Sequence, residues 1–118
     1  LEEANDPHLI VMTMLDALVK SMQIFVDNID LRNGGNSELK SKHFSRALSI
    51  IYALQSSLDF EKGGEIANNL FQLYEYGRLK LIEDLGKGVA DGTQPAIEVI
   101  ASVRDAWEEM GKQTSDEK

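Results

Sequence analysis

Apolar residues recur every three or four positions along four stretches of this chain, and polar, glycine-bearing breaks separate the stretches. The second stretch is the plainest. Phe44, Leu48 (with Ala47), Ile51, Leu54 and Leu58 form one stripe, and Lys40, Lys42, Ser45, Ser49 and Ser56 occupy the opposite side. That spacing is helical. Ile66, Leu70, Leu73, Gly77 and Leu81 repeat it further on, as do Ala96, Val99, Ile100, Val103, Trp107 and Met110. The punctuation sets expected limits. Asn5 or Asp6 caps a first helix with Pro7 at its first position, and Asn33-Gly34-Gly35 stops it after Leu31. Asn36 or Ser37 caps a second helix that runs to Leu58, and Asp59 to Gly64 is the next break. The third helix runs from Glu65 to Leu85, and Gly86 to Gln94 is a loop. The fourth starts at Pro95, and Gly111 ends it after Met110. No stretch alternates as a strand does. The pattern predicts an all-α protein, an antiparallel up-down four-helix bundle spanning residues 7–110. Residues 1–6 form an N-terminal extension and residues 111–118 a polar C-terminal tail.

Helix 1 carries more apolar residues than a bundle helix needs. Fifteen positions between Pro7 and Leu31 are apolar, and they lie all round its N-terminal half. Leu9, Met12, Leu15 and Val19 cannot share one narrow stripe with Ile10, Met14, Ala17 and Leu18. Two readings follow. Either helix 1 is the most buried helix, or it keeps a second apolar face for an amphipathic partner helix. Met12, Met14 and Met22 suit both, since methionine fills core gaps and adaptable binding surfaces alike.

Composition narrows the chemistry. The chain has no cysteine, which removes disulfides, thiolate catalysis and cysteine-zinc sites. Its formal net charge of -8 opposes binding to nucleic acid or anionic lipid. Leu1 to Pro7 hold three acidic groups and no basic one, the reverse of a secretion signal's first segment. Uninterrupted apolar runs are short, four residues at Leu9 to Met12, and predict no membrane span, so a soluble, intracellular protein is expected. No Glu-x-x-His pair offers a di-metal site, and Gly63-Gly64 and Gly86-Lys87-Gly88 lack the strand-to-helix setting of a phosphate loop. Neither catalytic residues nor a metal nor a cofactor is expected. His8 and His43 read as solvated surface groups. His43-Phe44-Ser45-Arg46-Ala47 partly matches the exposed helical histidine of phosphotransfer domains, so His43 phosphotransfer is the alternative function.

From Leu58 onward the chain resembles a known family. Leu58-Asp59-Phe60-Glu61-Lys62-Gly63-Gly64-Glu65-Ile66-Ala67, then Asn69-Leu70 and Leu73-Tyr74-Glu75-Tyr76, resemble the flagellar export chaperone family FliS. Pro7 and Ile10 to Leu18, and Val103-Arg104-Asp105-Ala106-Trp107, resemble its motifs on helices 1 and 4. The similarity covers about residues 6–110. It implies a cytoplasmic chaperone that binds the disordered C-terminal segment of flagellin by coupled folding in apolar grooves. It also implies delivery to the flagellar export machinery. A chaperone for another secreted filament or cap protein is the variant reading. Ile10, Met14, Ala17, Leu18, Asn69, Leu70, Leu73, Tyr74, Gly77 and Leu81 are the expected partner contacts, and Trp107 is expected to anchor the bundle. The free protein is expected to be a monomer or weak dimer, with neither nucleic acid nor a membrane as partner. Family members usually carry a tyrosine-containing N-terminal stretch over the binding surface, whereas the first tyrosine here is Tyr52.

Overall fold

The computed structural model describes residues 6–116, with side chains through Lys112. Helix α1 spans Pro7–Asn28, α2 Ser37–Ser56, α3 Phe60–Lys87 and α4 Thr93–Asp116. They form the all-α four-helix bundle the apolar periodicity predicts. α1 packs chiefly on α2 and α4, and α3 closes the ring between them. The core runs along the bundle through Leu15, Leu18, Met22, Phe25, Ile51, Leu54, Leu81 and Ile100, each at most 1 % exposed. Every such side chain contributes about 1.5–3 kcal/mol by leaving water.

The helix limits differ from the sequence reading in ways polar side chains explain. Asp6 caps α1 by accepting from the His8 amide at 3.0 Å, and Pro7 follows it. α1 then ends at Asn28 rather than Leu31. Asn28 turns its side chain outward to the next segment, where its Oδ1 accepts the Asn36 amide at 3.0 Å. Asp30 caps a short 3₁₀ turn, Leu31–Asn33. Gly35 fits there because a Cβ would strike the carbonyl oxygens of Asn28 and Asp30.

The expected break from Asp59 to Gly64 is largely helical. Asp59 accepts from the amides of Glu61 and Lys62, both at 3.0 Å, and so starts α3 early. The interruption is confined to Gly64, whose φ of 50° and ψ of -120° lie outside ordinary L-residue space. α4 runs through Gly111, the expected stop. His8 of α1 occupies the space a Gly111 side chain would need, so the glycine serves a close approach instead of ending the helix. The expectations for residues 1–5 and 117–118 lie outside the described residues.

α1 resolves its apolar surplus mostly inward. Leu15, Leu18, Met22, Phe25 and Ile29 are buried, while Val11, Met14, Val19 and Val26 pack half-buried against them. Leu9 and Ile10 stay exposed at 43% and 44%. By length and composition α1 would pass for a membrane span, with a mean hydropathy of 1.7 over eighteen residues. Counting uninterrupted apolar runs misses this, because single polar residues such as Thr13 and Asp16 break the run without lowering the average much. Here its deepest stripe is the bundle core.

Two interhelical devices escape sequence inspection. The buried Asp84 of α3 caps α4 from outside: its Oδ2 accepts the amides of Gly92 at 3.0 Å and Thr93 at 2.6 Å. Thr93 returns the link by donating its hydroxyl to the Lys80 carbonyl at 3.2 Å. At mid-bundle, Gly77 sits under Ile51 and Ile100. A Cβ there would meet both isoleucine Cδ1 atoms at 3.7 Å, an ordinary contact. Gly77→Ala therefore stabilises the fold by about 0.5–1 kcal/mol through helix propensity and unfolded-state entropy. The measurement is the urea midpoint at unchanged slope.

Candidate functional site

The bundle seals poorly along one seam. α3 and α4 leave an apolar groove of about 500 Å³ lined by Ile66, Leu70 and Leu73 on one wall and Val99, Val103, Ala106 and Met110 on the other. Trp107 ends it. Beyond Trp107 a second recess of about 320 Å³ opens between the start of α3, the end of α2 and Val11 of α1. Ile66, Leu70 and Trp107 line both spaces, so the two adjoin at these side chains. From Val99 to Met110 the wall rises about 16 Å at 1.5 Å per residue, three turns of a docked helix. Ile66 is 70% exposed at its rim.

The kink at Gly64 shapes the recess. Gly63 lines it, and a Cβ on Gly63 would press on Ala67 Cβ at 2.8 Å, so this close turn needs glycine at both positions. Phe60 and Phe71 meet across the kink with centroids 6.1 Å apart. Trp107 is held at the junction. Its indole Nε1 donates to the His8 carbonyl at 3.0 Å, and its ring stacks on the His8 imidazole at 5.2 Å. His8 is thus a packing partner, not the solvated group expected from sequence. Arg104, one turn earlier, pairs with Asp16 of α1. The stretch Val103 to Trp107 is therefore the strip by which α4 fastens to α1, which matches the anchoring expected of Trp107. Trp107 also forms part of the groove.

Glu75 fixes α3 to α2 beside this region. It accepts from Gln55 Nε2 at 3.2 Å and from Arg78 Nε and Nη2 at 2.8 and 2.6 Å. The Arg78 fork, and then Gln55, lower its carboxyl to about 2. A depressed carboxylate stabilises the fold above its unfolded value of 4.5 and loses that effect as pH falls toward 2. Arg78 is 38% exposed, so solvent screening holds the gain to about 1 kcal/mol. Glu75→Gln loses about that much stability at pH 7, and its deficit against the parent closes between pH 4.5 and 2. Urea melts across that range read the convergence.

The expected contact residues divide. Leu70 and Leu73 stand in the groove, Asn69 is exposed near it, and Ile10 is exposed on α1. Met14 and Ala17 are half-buried and line neither space. Leu18, Gly77 and Leu81 belong to the core, where they offer a partner no surface. Tyr74 is 2% exposed and reaches the recess only as its floor. Leu18 of α1 and Gly77 and Leu81 of α3 are corrected as contacts, because each lies on the face its helix turns to the bundle core. Ile66, Val99 and Met110, read from sequence as members of their helices' apolar stripes, line the groove. The signal was the width of α4's stripe: Ala96, Ile100 and Val103 fill the core, while Val99, Ala106 and Met110 fall on an adjoining edge.

His43 is corrected as well. It lies 9% exposed between α1 and α2, its Nδ1 3.2 Å from Ser21 Oγ. Burial, and then Lys42, Arg46 and Lys20, hold its pKa below the usual value of 6.5. The phosphotransfer reading needed an exposed imidazole, and this one is packed inside. Among the described residues no three His, Cys, Asp or Glu side chains converge as metal ligands.

Comparison with known proteins agrees with the fold. The chain is 29% identical over 107 residues to a flagellar secretion chaperone FliS from Vibrio cholerae, covering 91% of this chain and 76% of that one. It is 29% identical over 114 residues to the protein of the same name from Salmonella typhimurium, covering 92% and 79%. An Escherichia coli protein of that name is also 29% identical, over 97 residues, with 81% and 66% covered. A model of the family described as flagellar protein FliS matches residues 2–114, and the chain belongs to that family.

Proposed function

We propose that the protein is a cytoplasmic export chaperone that holds the C-terminal segment of flagellin as a helix in the groove between α3 and α4. As a member of a family of flagellar secretion chaperones it is not an enzyme. The observation that carries the finer reading is the groove itself, apolar on both walls and three turns long. An amphipathic helix docks in such a groove through anchors at positions i, i+3 or i+4, and i+7. Holding the segment keeps subunits from polymerising, and release at the export machinery needs no covalent step. Leu70 and Leu73, with Ile66 and Met110, are the contacts proposed; Asn69 and Ile10 lie at the margin. Met14 and Ala17 remain proposed as a secondary apolar edge on α1. The bundle domain of residues 7–110 is the working unit, free as a monomer or weak dimer.

Calorimetry tests this with a peptide from the last ~50 residues of the cognate flagellin, long enough for two or three helices. The expected result is a 1:1 complex with a negative heat-capacity change, the mark of apolar burial. Absence of heat or anisotropy change at about 50 μM, a modest affinity for coupled folding, sinks the assignment of flagellin. Binding of another secreted filament or cap protein's segment instead would place the same groove in service of that cargo.

A further inference from the structure

The chain's charge is unevenly placed. Between Leu31 and Leu58 there are four Lys or Arg residues and one carboxylate, Glu38, although the whole chain carries -8. Of the cations of α3 and α4, Arg78, Lys80, Lys87, Arg104 and Lys112 each hold a carboxylate partner, and Lys62 holds none among the described residues. Lys42 and Arg46 of α2 and Lys20 of α1 are exposed and hold none among the described residues. Lys42 and Arg46 stand one turn apart. The contact between Ser21 and His43 brings Lys20 alongside them across the α1–α2 seam. Glu38 stands one turn from Lys42 and Asp16 one turn from Lys20, but neither pairs with them and Asp16 is held by Arg104, so an anion laid over the three cations is still favoured.

We propose that the outer face of α2, with Lys20 of α1, is a docking surface for an acidic protein segment. Its chemistry selects that partner over other polyanions. Beyond about 8 Å charge is screened, so a short acidic segment meets only the local cations. A nucleic-acid strand or an anionic bilayer extends past the patch and faces the carboxylates that make up the chain's net negative charge. In the helix ring the α1–α2 edge lies across the bundle from the α3–α4 groove, so both surfaces can be occupied together. This inference does not depend on what the groove holds.

A labelled helical peptide repeating Glu-Ala-Ala-Glu-Ala is the probe. Titrated into the isotope-labelled protein at low salt, it is expected to perturb amides around Lys42 and Arg46 of α2 and to leave Leu70, Val99 and Ala106 unmoved. It also raises the pKa of the His43 imidazole, because it offsets the positive charges that depress it. Lys42→Glu with Arg46→Glu weakens binding at least about tenfold, a modest penalty for like-charge juxtaposition, with the thermal melt retained. Lys87→Glu with Lys112→Glu makes the same change in net charge elsewhere and leaves affinity within about twofold, the change expected of charges beyond a screening length. Equal losses in the two double variants would overturn the proposal, as would perturbations centred on the groove. Tighter binding of a single-stranded oligonucleotide or of phosphatidylserine vesicles than of the peptide would overturn the choice of partner.

Discussion

Ile66→Asp weakens binding of the flagellin C-terminal peptide by at least about 30-fold while moving the melting temperature by no more than about 2 °C. The asymmetry follows from where Ile66 stands. Its side chain is 70% exposed in the free protein, so the fold gains little from it. Yet it lines both the groove and the recess. A docked helix would cover it, and a carboxylate there would be desolvated against an apolar partner. The loss is at least about 2 kcal/mol, the size of an interface hot spot. The fold loses at most about 0.5 kcal/mol of helix propensity. Leu18→Ala is the complementary case: it removes a fully buried side chain and costs about 2–5 kcal/mol of stability. Calorimetric affinity set beside thermal melts of both variants separates the two roles. A parallel fall of affinity and stability for Ile66→Asp would make it a core residue and remove the groove from the binding site.

Among polar side chains, a large effect on stability is expected at Asp84. This carboxylate is 1% exposed and satisfies two amides at the start of α4 that have no other acceptor. An unsatisfied buried donor costs about 1–3 kcal/mol, and hydrogen bonds to a charged group sit in the upper part of that range. The carboxylate also faces the positive end of the α4 dipole. Asp84→Ala therefore lowers stability by about 3 kcal/mol and the melting temperature by about 12 °C for a domain of this size. Asp84→Asn keeps one acceptor oxygen and loses about half as much. Urea denaturation of both variants gives the comparison. Two losses below about 0.5 kcal/mol, the range of ordinary surface substitutions, would show that solvent replaces the cap.

Most of the architecture was legible because helix periodicity, proline and asparagine or aspartate caps act locally. Asp6 with Pro7, and Asn36 before Ser37, do in the structure what they do in a peptide. What was not legible depends on partners far away in the chain. Asp59 was read as part of a break, yet its side chain begins α3, because Gly64 permits a kink without ending the helix. Gly111 was read as a stop, yet the His8 ring against it makes it a packing glycine. The candidate groove was half legible. Leu70 and Leu73 were found, since they belong to a visible stripe. A stripe's breadth does not reveal which of its two edges faces the core, and so Gly77 and Leu81 of α3 were placed with the partner while Ile66, Val99 and Met110 were left as stripe positions; Leu18 was placed with the partner because α1 is apolar nearly all round. For α1 two readings stood open, and its close neighbours on two sides favour the first, a helix buried along its deepest stripe.

The bond from Trp107 to the His8 carbonyl joins residues 99 positions apart. Successive helices here are hairpin neighbours, and pairing them closes short loops. Pairing α4 with α1 must close nearly the whole chain, and the entropy of that closure is repaid only when the rest of the bundle is in place. The seam fastened by Trp107, Arg104 and Gly111 is therefore the last to form as the chain folds and the first to part as it unfolds. The chain meets its own beginning at the same tryptophan that closes off one end of the groove, so the final step of folding is also the step that completes the binding surface.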